Sequence, residues 1–108
     1  MNHRSKGDAG EFEFTRAAAD AIRDIELACQ VAVVTRLEGT GQRGVFAVVL
    51  HAISNDATEG VTYVAAYEAT WPNSYAVSFA AFYYQCTFKL ARMVEAWYQS
   101  RLEAKQHG

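Results

Sequence analysis

The chain is poor in cysteine and proline and has no excess of positive charge. Among 108 residues it contains two cysteines and one proline, and its formal net charge is −2. Two cysteines do not supply a disulfide framework or a paired zinc motif. A negative net charge also removes the simplest electrostatic reason for binding nucleic acid or an anionic membrane, because both attract a concentrated positive surface.

Long hydrophobic runs are missing as well. No apolar run reaches the roughly 18 residues that a membrane-spanning helix needs. The first six residues are polar and partly basic, without the apolar core of a secretory signal. We therefore expect a cytoplasmic protein whose cysteines stay reduced and act as small apolar residues.

Apolar residues are nevertheless abundant. Hydrophobic residues make up 51% of the chain and charged residues 20%, a balance that supports a folded core rather than disorder. The length suits one domain and is too short for two. We expect residues 1–7 to form a flexible arm and residues 8–108 to form a single domain.

The first helix is predicted by the spacing of its apolar residues. Asp8 and Glu11 have the spacing of a capping box, and apolar residues then recur every three or four positions from Phe14 to Cys29. Charged residues lie mostly off that stripe. The helix should therefore bury one face and expose a wet, mainly acidic one.

Three segments rich in β-branched residues follow, at 31–37, 45–53 and 61–70. Glycine-rich and polar turns separate them, and such short connections predict an antiparallel meander. Strict alternation on the third strand would place one set of residues on a single face: Val61, Tyr63, Ala65, Tyr67 and Ala69.

A second, long helix should begin near Pro72, with Asn73 or Ser74 as its cap, and should end near Lys105. The predicted fold class is therefore α+β, in the order α-β-β-β-α. This helix carries two apolar rows, which is more than one thin sheet covers. Either the first helix, lying beside the long one on the same sheet face, or a second copy of the protein would cover the surplus. We expect a homo-oligomer built on the long helix.

Candidate catalytic motifs are weak. Residues 39–44 spell G-x-G-x-x-G, but they join two strands and open no helix, so they predict a hairpin rather than a nucleotide site. A catalytic triad for nucleophilic catalysis could be imagined from Cys86 as nucleophile, His51 as base and Glu68 as the group that orients the base. The spacing of these residues in the sequence does not favour this combination. We predict no catalytic, cofactor or metal site.

The leading hypothesis is a small non-enzymatic protein-binding domain, homodimeric, because Tyr and Trp crowd the second half and are enriched at interfaces. The predicted interface residues are Tyr83, Tyr84, Trp97 and Tyr98 on the second helix, with the acidic Glu11, Glu13, Asp20, Asp24 and Glu26 on the first. The acidic face would compete for a basic nucleic-acid groove on a target protein.

A compact, mildly acidic, motif-free domain of this kind resembles, in general type only, the inhibitors and accessory proteins of phages and mobile elements, including anti-CRISPR proteins. No matched residues carry that resemblance. It implies a host protein complex as the target.

Two other functions stay open. One is a ligand-binding or enzymatic domain, with a pocket between the sheet and the long helix lined by His51, Tyr63, Tyr67 and Tyr75. The other is a nucleic-acid binder, because the element order resembles the double-stranded RNA-binding domain. In that domain the second helix begins with basic residues. In this chain residues 73–78 contain no Lys or Arg, and the first basic residue of the predicted helix is Lys89. Contacts would then fall to Arg4, Lys6, Arg36 and Arg43.

Overall fold

The computed structural model describes residues 3–72 and 77–107, and the side chains within 12–72 and 77–106. Two helices and three strands follow one another as α1 (His3–Cys29), β1 (Val31–Gly39), β2 (Phe46–Asp56), β3 (Gly60–Thr70) and α2 (Phe79–His107). The strands form one antiparallel sheet in the order β1-β2-β3. The predicted α+β class, element order and meander are confirmed.

Helix α1 is longer than the sequence indicated. It begins at His3, so residues 3–7 are helical, where the sequence predicted a separate arm. Its apolar stripe buries Ala18, Ile25 and Cys29. Gln30 ends the helix with a φ of 57°, the left-handed conformation that commonly stops a helix. The chain thereby passes from helix to strand across a single residue.

Strand β2 is the centre of the sheet. Val48, Leu50 and Ala52 are fully buried on the side that α2 covers. Val49, which points to the opposite side, is also nearly buried. It lies between Arg36 and Glu68 on the neighbouring strands, and these longer side chains shield it from water.

A β-bulge interrupts the pairing of β2 with β3. Ala52 pairs with Ala65 and Ile53 pairs with Tyr63, which leaves Val64 as the extra residue. One additional residue reverses the side on which all preceding side chains lie. The prediction of one shared face for β3 is therefore wrong: Tyr63 and Val61 lie on the face opposite to Ala65, Tyr67 and Ala69.

Helix α2 begins later than the predicted start near Pro72. Ser78 is its N-cap: the Ser78 hydroxyl oxygen accepts a hydrogen bond from the Ala81 backbone N–H at 3.1 Å. The Trp71 indole N–H donates to the Val77 carbonyl oxygen at 3.3 Å just before this cap. The predicted caps Asn73 and Ser74 lie outside the described residues.

The two helices run side by side in the same direction. Phe14 and Tyr84 meet near one end, with ring centroids 5.9 Å apart, while Cys29 and Tyr98 line one cleft near the other. Helix α2 packs on β2 and β3, and α1 lies beside α2 along the β1 edge. The buried core cluster joins the two helices to the sheet, and its members are Ile25, Cys29, Val31, Val48, Leu50, Ala52, Cys86, Leu90 and Val94. Helix α1 thus covers part of the second apolar row of α2.

The turn after β2 is tied to the C-terminal part of α2 through Asp56. Its carboxylate accepts hydrogen bonds from the Thr58 hydroxyl, from the Thr58 backbone N–H at 2.7 Å and from the Glu59 N–H at 3.3 Å. The Arg101 guanidinium donates to the same carboxylate at 2.9 Å. The Thr58 side-chain bond first, then the backbone bonds and the Arg101 charge, lower the pKa of Asp56 to about 2.

We predict that Ser78→Ala destabilises the fold by about 1 kcal/mol, because the first turn of α2 loses its side-chain acceptor. Ser100→Ala is the matched control, since Ser100 is exposed in the interior of the same helix. Urea unfolding followed by circular dichroism gives both free energies. Equal effects of the two substitutions would remove the cap assigned to Ser78.

We also predict an acid-dependent contribution from Asp56. Its pKa is lower in the folded state than the ordinary 3.8, so its contribution is complete above about pH 4 and is lost as the pH falls towards 2. Asp56→Asn should therefore flatten the pH dependence of the urea midpoint between pH 4 and 2. Parallel curves for the two proteins would contradict the hydrogen-bonded carboxylate.

Candidate functional site

The three described residues of the predicted pocket, His51, Tyr63 and Tyr67, do not come together. His51 and Tyr63 form a ring pair, with centroids 5.1 Å apart, on the sheet face away from the helices. Tyr67 lies on the helix side, where the Lys89 ammonium is 5.8 Å from its ring centroid. Tyr75 lies outside the described residues. The bulge in β3 separates Tyr63 from Tyr67, so the described members of this set, His51, Tyr63 and Tyr67, do not line a common pocket beneath α2.

Most of the predicted aromatic interface is used inside the domain. Tyr83, Trp97 and Tyr98 are half-buried and pack against the core cluster. The Tyr83 hydroxyl lies 3.5 Å from that of Thr35, and the Arg101 guanidinium covers the Trp97 ring at 5.4 Å. Tyr84 is half-buried too, against Phe14. These rings hold the layers together and leave limited surface for a partner.

The acidic residues of α1 divide into two groups. The Glu26 carboxylate accepts a hydrogen bond from the Val33 backbone N–H at 2.9 Å, so it satisfies the outer edge of β1. Glu13, Asp20 and Asp24 are exposed. Spacings of seven and four residues put these three on one side of the helix. The Glu11 side chain lies outside the described residues.

A long groove runs between α1 and α2 on the side away from the sheet, with a volume of about 790 Å³. Small side chains keep it open, because Ala21 and Ala28 on α1 face Ala91 on α2. Phe88 forms part of its wall and is 51% exposed. The full lining is Ala21, Asp24, Ile25, Ala28, Cys29, Phe88, Ala91, Arg92, Glu95, Tyr98 and Gln99.

The rim of the groove is acidic. Asp24 and Glu95 stand on opposite walls, and Glu13 and Asp20 lie beyond the lining on the same side of α1, beside Arg16 and Arg23. The positive group on the lining is Arg92, whose guanidinium lies 5.7 Å from the Phe88 ring centroid. Burial first, and the nearby Glu95 charge second, raise the pKa of the Cys29 thiol at the floor. The groove therefore combines an apolar floor with negative walls.

The described side chains do not form a catalytic centre of the kind considered from sequence. Cys86 is buried in the core, and burial raises its pKa. His51 and Glu68 lie on the far side of the sheet, so the Cys86, His51 and Glu68 combination is ruled out. No group of three or more His, Cys, Asp or Glu side chains able to hold a metal is present within the described ranges.

Basic side chains are dispersed. Arg36 pairs with Glu38 at 3.2 Å, and Lys89 lies ten residues beyond the start of α2, over Tyr67. Arg43 is exposed in the hairpin, while the Arg4 and Lys6 side chains lie outside the described residues. Among the residues with defined positions, no helix has the combination of length and hydropathy needed to cross a bilayer.

Comparison with known proteins yields no match to a family model, to a curated protein or to a solved structure. The groove and the surfaces described above are therefore the basis for inferring a function. Sequence reasoning did not identify the groove. Its one sequence signal is the recurrence of alanine beside the core stripe of both helices, at Ala21, Ala28 and Ala91.

We predict that neither thiol reacts rapidly in the native protein, because both cysteines are buried and their pKa values are raised. Titration with the thiol reagent DTNB near pH 7 should show slow release of the coloured product. The same titration in denaturant should show two reactive thiols per chain. Rapid native labelling of one thiol would restore a nucleophilic role for that cysteine.

Proposed function

We propose that this protein is a non-enzymatic protein-binding domain whose α1–α2 groove receives a basic amphipathic helix of another protein. The observation that carries this proposal is the groove itself, apolar at its floor and acidic along its rim. Helix-in-groove recognition uses this combination, because apolar anchors enter the floor while charges on the ligand meet the rim.

The shape of the groove suits a helix as ligand. Two parallel helices present a continuous channel, and alanines at its floor let a third backbone approach closely. Phe88, half exposed on the α2 wall, supplies a large apolar surface for an anchoring side chain. A ligand helix would offer its own apolar residues at three- and four-residue spacing.

The charges suit a basic ligand. Within the lining, Asp24 on α1 and Glu95 on α2 outnumber Arg92, while Glu13 and Asp20 on the adjoining surface of α1 stand beside Arg16 and Arg23. Such a field accelerates the encounter with a basic partner and disfavours acidic ones. A lysine-rich or arginine-rich apolar segment is therefore the ligand class.

Binding of this groove to a basic segment would also inhibit the protein that carries the segment. A target that uses this segment to bind nucleic acid would lose it when the acidic groove covers it. This mode of action agrees with the general type of small inhibitor and accessory proteins from phages and mobile elements, anti-CRISPR proteins among them. A host protein complex that handles nucleic acid is then the expected kind of target.

The test uses a synthetic amphipathic peptide of lysine and leucine, about 18 residues long, so that it can form a helix of several turns. Fluorescence anisotropy should detect its binding to the wild-type protein. The double substitution Asp20→Lys with Asp24→Lys should weaken binding about tenfold or more, because one wall changes sign. Raising the salt concentration should weaken wild-type binding in the same direction.

The matched control is Glu68→Lys with Glu103→Lys, which changes the net charge equally at exposed positions outside the groove lining. This control should bind nearly as well as wild type. Equal loss in both double variants would show a response to net charge alone and would contradict the groove. Failure of the wild type to bind the peptide would overturn the proposal directly.

A further inference from the structure

The outer face of the sheet, opposite α2, has no covering element in the described chain. Helix α2 packs on the other side, where Val48, Leu50 and Ala52 are fully buried. Side chains alternate along a strand, so Val49, His51 and Ile53 of β2 point outward. Apolar side chains around them are open to solvent: Val34 is 45% exposed, Tyr63 59% and Val61 73%.

The strand register orders this outer face into four rows across the sheet. Listed from β1 through β2 to β3, they are Ala32–Ile53–Tyr63, Val34–His51–Ala66, Arg36–Val49–Glu68 and Glu38–Ala47–Thr70. The first two rows are mainly apolar. The third has opposite charges at its two ends and an apolar residue at its centre.

That third row is complementary to itself. If a second copy lies face to face across a twofold axis along β2, β1 of one copy covers β3 of the other. Arg36 then faces Glu68 of the other copy, and Val49, which these two side chains cover, lies on the axis. The symmetry produces this charge pair twice, because each copy supplies both ends of the row.

The neighbouring rows are complementary in size under the same operation. Ala32 faces the large Tyr63 ring of the other copy, and Val34 faces Ala66. Packed sheets lie at about −30° to each other, a rotation that moves the first row, about 14 Å further along the strands, by about 7 Å and out of the Ala32–Tyr63 alignment. It moves the row of Arg36 and Glu68, on strands about 4.8 Å from the axis, by only about 2.5 Å. Long side chains such as Arg and Glu span that displacement.

We infer that the outer face of the sheet is a self-association surface, on which a second copy of this chain packs face to face with Arg36 opposite Glu68. This assigns the dimer to the sheet rather than to the long helix, where the sequence placed it. The face is about 14 Å wide, which is three strand spacings, and about 26 Å long, which is eight residues along a strand. So small an area gives a weak dimer that dissociates on dilution.

The first experiment is light scattering after size exclusion, over a series from micromolar to millimolar protein. The wild type should pass from monomer to dimer within this range. Arg36→Glu and Glu68→Arg should each raise the dissociation constant about tenfold or more, because each places like charges opposite one another twice. The double variant Arg36→Glu with Glu68→Arg should recover most of the lost affinity, short of the wild-type constant because position 36 also loses its pair with Glu38.

Rescue by the double variant separates association from a loss of folding, since both positions are exposed and each single variant can be checked by circular dichroism. A wild type that stays monomeric at every concentration would overturn the inference. So would a dimer that neither single variant weakens, because another surface would then hold it.

Cross-linking locates the surface directly. His51 faces its own equivalent near the twofold axis, so His51→Cys should be joined between copies by a bismaleimide with a spacer of about 8 Å, given sheets about 10 Å apart. Ser100→Cys, exposed on α2 on the other side of the sheet, should not be joined efficiently, and the wild type reports any reaction of Cys29 and Cys86. Equal cross-linking at both engineered positions would contradict face-to-face packing.

The groove plays no part in these measurements. Substitution of Asp20 and Asp24 should leave the dimer unchanged, and substitution of Arg36 or Glu68 should leave peptide binding unchanged. Either proposal can therefore fail without affecting the other.

Discussion

The contact between α2 and the central strand is the interaction on which the rest of this fold depends. Leu90, Val94 and Cys86 of the helix belong to one buried cluster with Val48, Leu50 and Ala52 of β2. A three-stranded sheet is not stable alone in water without a packed face. Once α2 occupies one side of the sheet, α1 has no space there except along the β1 edge, where Glu26 binds the Val33 N–H.

This arrangement leaves two surfaces without a partner inside the described chain. A single layer of helices on one side of a sheet exposes the opposite sheet face, and two parallel helices expose the channel between them. The two surfaces differ in chemistry: the channel is apolar with acidic walls, while the sheet face is apolar with opposite charges at the ends of one row. A basic foreign helix suits the first, and a second copy suits the other.

The two proposed contacts are compatible in one assembly, because they lie on opposite sides of the domain. A face-to-face dimer would direct its two acidic grooves outward and away from each other. Two linked basic segments could then be held at once, and the weak individual contacts would be strengthened by the high effective concentration of the second site. The weak dimer contact and the open groove would then both contribute to binding the same basic partner.

Local pattern determined much of the structure from sequence. Three- and four-residue spacing from Phe14 to Cys29 predicted α1, and β-branched runs between turn residues predicted the three strands in their order. The antiparallel meander followed from the short connections. Each of these inferences depends on residues close together in the chain, whose preferences are set by backbone geometry and burial of one face.

Tertiary structure decided where the surfaces lie. One extra residue at Val64 places Tyr63 on the opposite face of the sheet from Tyr67. The alternation pattern of the sequence does not predict this bulge, because its position depends on pairing with Ala52 and Ile53. Likewise Ser78, rather than a residue nearer Pro72, caps α2. Tyr83, Trp97 and Tyr98 read as interface aromatics from composition, yet packing half-buries them because α1 and the sheet both lie against α2. Composition and periodicity thus specified the elements, whereas only the packing of distant residues determined which faces remained for partners.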